Sequence, residues 1–164
     1  MTKEPSLEYP DRTQERAPSD TFRILFLDSA PNVELLKEAG KGAGYVVVGA
    51  ETIVEAMTFL EGTDHVDVIV CAAHLETESM FVFLNQVRGQ PAHENIRFLI
   101  LSLAAGTHGS RLDHATAEAG VVLGADAYQI MPVFDAPALI AHIRVFEPAV
   151  PTLRATTTGQ QRLA

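Results

Sequence analysis

The 164-residue sequence is short of several residue types and patterns, and each shortage excludes a class of protein. Its single cysteine, Cys71, rules out a disulfide bond within the chain and lies in an apolar run, which is typical of a buried, inert thiol. No apolar run approaches the roughly 20 residues that cross a bilayer. The N-terminus also lacks the apolar stretch of a secretory signal peptide. We therefore expect a cytoplasmic protein that makes no use of a membrane.

Positive charge is scarce. The chain has 12 Lys and Arg residues against 21 Asp and Glu residues, for a formal net charge of −9. Binding to nucleic acid depends on clustered Lys and Arg that neutralise phosphates. The charge balance therefore predicts that nucleic acid is not a partner.

Catalytic and metal-binding motifs are also lacking. There is no Gly-x-Ser-x-Gly nucleophile elbow. The glycine-rich residues 40–44 follow a predicted helix and precede a predicted strand, the reverse of a phosphate-binding loop. The six histidines lack the tight spacing and cysteine partners of zinc sites. We expect no enzyme, no metal and no cofactor, although His74 is open to two interpretations, an isolated loop histidine or an acid, base or phosphoacceptor.

The composition is that of one globular domain, with 47% hydrophobic and 20% charged residues. Residues 1–21 contain three prolines and no periodic apolar face, which predicts a flexible leader. Residues 22–147 form the predicted domain. Residues 148–164 are predicted to be a flexible polar tail.

Apolar strands and helically spaced segments alternate five times within this domain. The strands are continuous apolar runs, which indicates burial on both faces and hence a parallel sheet in an α/β fold. The strands are predicted at residues 23–27, 45–48, 66–72, 96–101 and 127–130. The first helix is predicted at residues 33–39, with Asn32 as its cap and the glycines at 40, 42 and 44 as its end. The next three are predicted from Thr52, around Phe81 and at residues 110–123. The last helix follows a capping Asp135 and includes Val145 among its apolar residues.

Residues 124–134 read Gly-Ala-Asp-Ala-Tyr-Gln-Ile-Met-Pro-Val-Phe. This segment resembles the end of a response-regulator receiver domain, which reads roughly Gly-Ala-Asp-Asp-Tyr, two residues, Lys-Pro-Phe. The resemblance extends over about residues 22–146. It implies a flavodoxin-like (CheY-like) five-stranded parallel sheet with strand order 2-1-3-4-5 and helices on both faces, and it suggests a cis Met131–Pro132 bond.

The resemblance also places a phosphorylation pocket at the carboxyl ends of the strands. The acidic pair that holds Mg²⁺ falls at Asp28 and Ser29, the phosphoacceptor aspartate at Ala72, the hydroxyl at Ser102 and the lysine at Met131. Alanine offers no nucleophile, one carboxylate is a poor Mg²⁺ site, and a thioether cannot pair with phosphate. The predicted pocket is therefore vestigial, with Met131 available to fill the space beside Ala72.

Two features that move together in active receivers are kept at Ser102 and Tyr128. They indicate either a conformational switch that works without phosphate or, more simply, a hydroxyl that satisfies backbone groups beside a surface-packed ring. The family's usual contact face is formed by the fourth helix, fifth strand and fifth helix. On that face the predicted contact residues are Tyr128, Val133, Phe134, Ala138 and His142, and a homodimer through it is possible.

We therefore predict a non-phosphorylatable pseudo-receiver without catalytic activity. It would be a protein-interaction or signalling adaptor in a two-component-type or related pathway, free-standing or bound to a regulatory protein. The alternative is a flavodoxin-like domain whose neutral pocket senses a small molecule. A remote form of this alternative is a cobalamin-binding domain, but residues 28–33 lack the histidine and glycine of the Asp-x-His-x-x-Gly motif.

Overall fold

Five strands and five helices alternate in the computed structural model, which describes residues 21–103 and 106–148, the backbone alone for 106–113. The predicted leader and tail therefore lie outside the described residues except at Thr21 and Pro148. The elements are β1 (Arg23–Leu27), α1 (Ala30–Ala43), β2 (Val46–Ala50), α2 (Ile53–Leu60), β3 (Val68–Ala72), α3 (Met80–Arg88), β4 (Arg97–Ser102), α4 (Gly106–Leu123), β5 (Ala127–Ile130) and α5 (Ala136–Ile143). Short 3-10 turns at Pro91–His93 and Arg144–Phe146 follow α3 and α5.

All strand pairs are parallel, in the order β2-β1-β3-β4-β5. The sheet order and the fold class predicted from the sequence are thus confirmed. Central strand β3 is buried at all five positions, whereas none of the four residues of edge strand β5 is buried.

Side chains alternate between the two faces of the sheet and form two apolar clusters. On one face, α1 and α5 cover residues such as Phe26, Val70 and Leu101. On the other face, α2 and α3 cover Leu27, Cys71 and Ile100, with the end of α4 packed beside them. Burial on both faces explains why the strands are apolar without alternation.

Helix α1 begins earlier than predicted. Ser29 is its N-cap residue and Pro31 lies in its first turn, so the prediction that Asn32 caps the helix is wrong. The fixed φ of proline suits the first helical turn, where no amide donor is needed. Asn32 lies inside the helix and donates to Asp28 (Nδ2–Oδ2, 3.3 Å).

The same helix also passes through two of the three glycines predicted to end it. Gly40 is buried, and a Cβ there would lie 2.8 Å from Cγ2 of Val47, so this glycine permits close packing on β2. The helix ends at Gly44, whose φ of 82° is a left-handed conformation that favours glycine.

Three further expectations need correction. Helix α4 begins at Gly106 and not near Ser110, so it is four residues longer at its start than predicted. The described residues contain no cis peptide bond, which makes the Met131–Pro132 bond trans. Val145 is 77% exposed because it falls in the 3-10 turn after α5, outside the apolar face of the helix.

The end of the domain is joined to the amino-terminal edge of the sheet. The Tyr45 hydroxyl, just before β2, donates to Glu147 (Oη–Oε1, 2.6 Å), and the Tyr45 ring lies 4.8 Å from that of Phe22. Burial and this hydrogen bond raise the pKa of Tyr45. The strands end at the other edge of the sheet, where the residues predicted for the pocket lie.

Candidate functional site

The carboxyl ends of β1, β3 and β4 surround a cavity of about 280 Å³. Parallel strands bring the residues that follow them to one edge of the sheet, which is where ligands bind in this class of fold. We call this space the upper cavity. Its lining residues are Asp28, Ala72, His74, Leu101 and Leu103.

Asp28 directly follows β1 and is the one carboxylate among the described residues that line the upper cavity. Its Oδ1 accepts from the Ser29 amide at 2.6 Å, and its Oδ2 accepts from Asn32 at 3.3 Å. Burial raises the pKa of Asp28 above its usual value, and these two hydrogen bonds only partly offset the effect. No described cation lies within salt-bridge distance of Asp28.

Ala72 ends β3 at the base of the upper cavity and is 7% exposed. Its methyl group provides neither a nucleophile nor a metal ligand. Leu101 and Leu103 add apolar surface, so Asp28 and the exposed His74 supply the polar lining side chains. The cavity is chemically unlike a site for a phosphoryl group and Mg²⁺.

A second, larger cavity of about 610 Å³ shares Asp28 and His74 with the first. Its lining residues are Asp28, Ser29, Ala30, Pro31, Glu51, Thr52, His74, Leu75, Glu76, Thr77 and Glu78. Glu78 accepts from the Ile53 amide at 2.9 Å, which joins the loop after β3 to the start of α2. We call this space the acidic cavity because four of its residues are carboxylates.

The negative charge at this edge affects a neighbouring thiol. Cys71 is fully buried, as the sequence indicated. Burial, followed by the charges of Asp28 and Glu78, raises the pKa of Cys71 well above its usual value. The thiol is therefore held in its protonated, unreactive form at neutral pH.

The five predicted pocket residues separate into three that line a cavity and two, Ser102 and Met131, that are buried and line neither of the two cavities. Asp28 and Ala72 line the upper cavity, and Ser29 lines the acidic cavity without making a capping hydrogen bond from its hydroxyl. Ser102 is fully buried at the end of β4, and its carbonyl accepts from the Met131 amide at 2.8 Å.

Met131 is not among the described residues that line the upper cavity, and its packing beside Ala72 stays a prediction. It is 6% exposed and packs in the cluster under α1 and α5. Its sulfur accepts from the Asp135 amide at 3.3 Å, next to the start of α5. Met131 is therefore a core residue of that face.

The residues predicted for switching and partner contact face different surroundings. Tyr128 is half-buried against the cluster under α2 and α3. Phe134 and Ala138 pack on the opposite cluster, where Phe134 stacks on Phe26 with 6.0 Å between ring centroids. Val133 is 79% exposed and His142 is exposed.

Sequence reasoning missed several lining residues of the two cavities, among them Leu103, Glu51 and Glu76. A usable signal was present for two of them, since Leu103 follows β4 and Glu51 follows β2 directly. Reading one residue past each strand end would have found both. Glu76 lies in an irregular loop, and its position depends on how that loop packs.

The described residues show neither a metal-binding cluster nor a membrane-spanning helix. Among the described side chains, those of residues 21–103 and 114–148, no three His, Cys, Asp or Glu are grouped so as to hold a metal ion. No helix within residues 21–103 and 106–148 has the length and apolar character to cross a membrane. His108 and Asp113 have side chains outside the described set, and exposed His114 lies 3.4 Å from Glu118.

Comparison with solved structures identifies the fold of this chain. No family model matches the sequence, and no curated protein matches it either. A candidate response regulator from Chloroflexus aurantiacus aligns with a TM-score of 0.65 at 24% identity, over 77% of this chain and 98% of its own. An orphan response regulator of H. pylori aligns with a TM-score of 0.63 at 15% identity, over 80% and 100%.

The receiver domain of a signal transduction histidine kinase from Syntrophus aciditrophicus aligns with a TM-score of 0.62 at 19% identity, over 88% of this chain and 98% of its own. At such identities the likeness establishes architecture alone. The chain has the fold of response-regulator receiver domains, as the motif at residues 124–134 predicted.

Proposed function

We propose that this chain is a receiver-like signalling module that carries no phosphoryl group and acts by binding a protein partner. The observation that carries the proposal is Ala72 at the end of the central strand, at the base of a cavity whose described lining includes a single carboxylate. In this proposal the module is not an enzyme and works in the cytoplasm within a two-component-type or related pathway.

The chemistry of the pocket supports the first half of this proposal. Phosphorylation of a receiver requires a carboxylate nucleophile, a Mg²⁺ site and a cation for the phosphoryl oxygens. The nucleophile is replaced by Ala72, the second acidic residue by Ser29, and the cation by the buried Met131. All three functions would have to be restored together.

Exposed apolar side chains support the second half. Val121 and Val122 on α4 are 65% and 83% exposed, Ile130 at the end of β5 is 46% exposed, and Val133 is 79% exposed. Apolar surface gathered near one edge of the sheet is typical of a contact face. We propose that the partner, or a second copy of the chain, contacts the α4-β5-α5 edge at Tyr128, Val133 and His142.

The pocket is tested by adding Mg²⁺ and beryllofluoride, a phosphoryl mimic, to ¹⁵N-labelled protein. We expect the amide signals of Ser102 and Tyr128 to stay unchanged, because Ala72 supplies no carboxylate at the position where the mimic would bind. Saturable shifts in the unaltered protein would overturn the proposal.

The matched control restores the missing groups. The triple variant Ala72→Asp, Ser29→Asp and Met131→Lys should show Mg²⁺-dependent shifts with the same reagent, provided that circular dichroism shows it folded. A folded triple variant without shifts would mean that the pocket is not a vestigial phosphorylation site, and the assignment of Ala72 to the phosphoacceptor position would be wrong.

The second candidate function is small-molecule sensing. The observation that favours it is the upper cavity of about 280 Å³ at the carboxyl ends of the strands. A ligand that binds the native protein raises its melting temperature, so a thermal-shift screen separates a sensor from an adaptor that binds protein alone.

A further inference from the structure

The upper cavity has the size of a site for a very small molecule. Its volume of about 280 Å³ lies just below the range of roughly 300–1,000 Å³ that is usual for ligand sites. Three of its five lining residues, Ala72, Leu101 and Leu103, are apolar. A ligand would therefore place a short hydrocarbon body against these side chains.

The polar end of such a ligand is determined by Asp28. This carboxylate accepts one short and one long hydrogen bond from described groups, so it has acceptor capacity left. Burial raises the pKa of Asp28, and its hydrogen bonds to Ser29 and Asn32 offset only part of the cost of burying the ionised form. A cation that donates hydrogen bonds would supply what the site lacks.

The surroundings disfavour an anion. In the part of the chain that the structure describes, neither the upper cavity nor the acidic cavity has a lysine or arginine among its lining residues. A carboxylate or phosphate entering the upper cavity would meet Asp28 without a counter-charge. A metal ion is also disfavoured, because one carboxylate between leucines offers too few oxygen ligands.

We propose that the upper cavity binds a small aliphatic primary ammonium ion, with Asp28 as its counter-ion and the alkyl chain against Ala72, Leu101 and Leu103. The inference rests on the proposed function, since it requires a pocket that no longer takes a phosphoryl group. It assigns to that pocket a ligand of the opposite charge.

Three probes with similar four-carbon bodies test the charge requirement: n-butylammonium, 1-butanol and butyrate. They are titrated at constant ionic strength into ¹⁵N-labelled protein, and the amides of Asp28, Ala72 and Leu103 are followed. We expect saturable shifts with n-butylammonium, at least about tenfold weaker binding of 1-butanol, and none of butyrate. Equal or tighter binding of butyrate or 1-butanol would overturn the inference, as would no binding of n-butylammonium.

Variants test the location. Asp28→Asn should weaken n-butylammonium binding about tenfold or more, and Ala72→Leu should abolish it by filling the cavity without a change in charge. Glu94→Gln removes an exposed carboxylate at the opposite edge of the sheet and should leave binding unchanged. Ala72→Leu keeps the test decisive if Asp28→Asn does not fold, and retained affinity in a folded Ala72→Leu protein would refute the site.

Beryllofluoride separates the two possible failures. If neither beryllofluoride nor n-butylammonium binds, the ammonium site is refuted and the proposed function stands. If beryllofluoride binds the unaltered protein, both are refuted.

Discussion

Asp126, from the segment that revealed the fold, contributes to architecture. Its carboxylate accepts from the Phe98 amide at 2.8 Å, from Arg88 at 3.0 Å and from Arg97 at 3.3 Å. The Arg88 guanidinium also donates to the carbonyls of Gly124 and His93. These bonds fix the starts of β4 and β5 relative to the end of α3. This part of the segment is thus explained by its structural contacts, at the edge of the sheet opposite to the cavities.

The raised pKa of Asp28 leads to a pH-dependent prediction. A carboxyl group whose folded pKa is raised contributes most to stability below its unfolded value, near 3.8, and loses that contribution as pH rises through the folded pKa. Asp28→Asn removes this ionisation. We therefore expect Asp28→Asn to melt at a higher temperature than the unaltered protein at pH 7.

The difference in melting temperature between Asp28→Asn and the unaltered protein should shrink towards zero below pH 3.8, where Asp28 is protonated in both the folded and unfolded states. Thermal melts of both proteins between pH 3 and pH 8 measure it, and Glu94→Gln controls for the loss of one negative charge. A difference that is constant with pH, or that grows as pH falls, contradicts the cause assigned to the shift.

At single positions the sequence predicted which chemical groups are present better than it predicted where their side chains pack. The lack of a carboxylate at Ala72 and of a lysine at Met131 can be read directly from the residues. That Met131 packs in the cluster under α1 and α5 depends on the path of the chain after β5 and on the hydrogen bond that its sulfur accepts from the Asp135 amide. Such packing leaves no pattern in the sequence.

Among the elements, α1 shows how one residue type serves different roles. Gly40 allows close packing on β2, Gly42 is exposed with open space around its Cα, and Gly44 supplies a positive φ. A count of glycines predicts an early helix end, because intrinsic propensity is a weak guide once tertiary packing acts. The start predicted for α4 was too late for the same reason, because Gly106 and Gly109 are residues that favour a loop.

Gly42 and Gly44 give a matched pair of substitutions. Gly42→Ala should stabilise the protein by about 0.5–1 kcal/mol, because alanine favours a helix and nothing lies within 4 Å of the added Cβ. Gly44→Ala should destabilise it by about 1–2 kcal/mol, because its φ of 82° is strained for alanine although space is open there too.

Urea denaturation of the two variants and the unaltered protein measures both changes in the free energy of unfolding. Since neither added methyl group meets a neighbour, the sign depends on backbone conformation alone. Equal effects of the two substitutions would contradict the boundary of α1 at Gly44.

For the whole molecule, the parallel sheet was predictable because continuous apolar runs indicate burial on both faces, whereas the order of the strands followed only from the resemblance to receiver domains. The two edge strands differ from the centre in burial and in pairing. β3 is bonded to a strand on each side and is buried throughout, whereas β5 pairs with β4 alone and has no buried residue.

Native-state hydrogen exchange should therefore be uneven across the sheet. We expect the amides of β3 to exchange only with global unfolding and those of β5 to exchange at least about tenfold faster through local opening. Exchange followed by NMR resolves the strands one by one, with β1 as the internal reference for a central strand. Equal protection in β3 and β5 would show that the sheet opens only as one unit.

The Tyr45–Glu147 hydrogen bond also determines where a tag or a surface can be attached without covering the cavities. It fixes the point where the described domain ends at the amino-terminal edge of the sheet, and Thr21 reaches the same edge through its carbonyl, which lies 2.8 Å from His65. Both exits of the chain thus lie opposite to the two cavities. A surface, label or fused protein attached at either of these points would contact the amino-terminal edge of the sheet and leave the cavities open to solution.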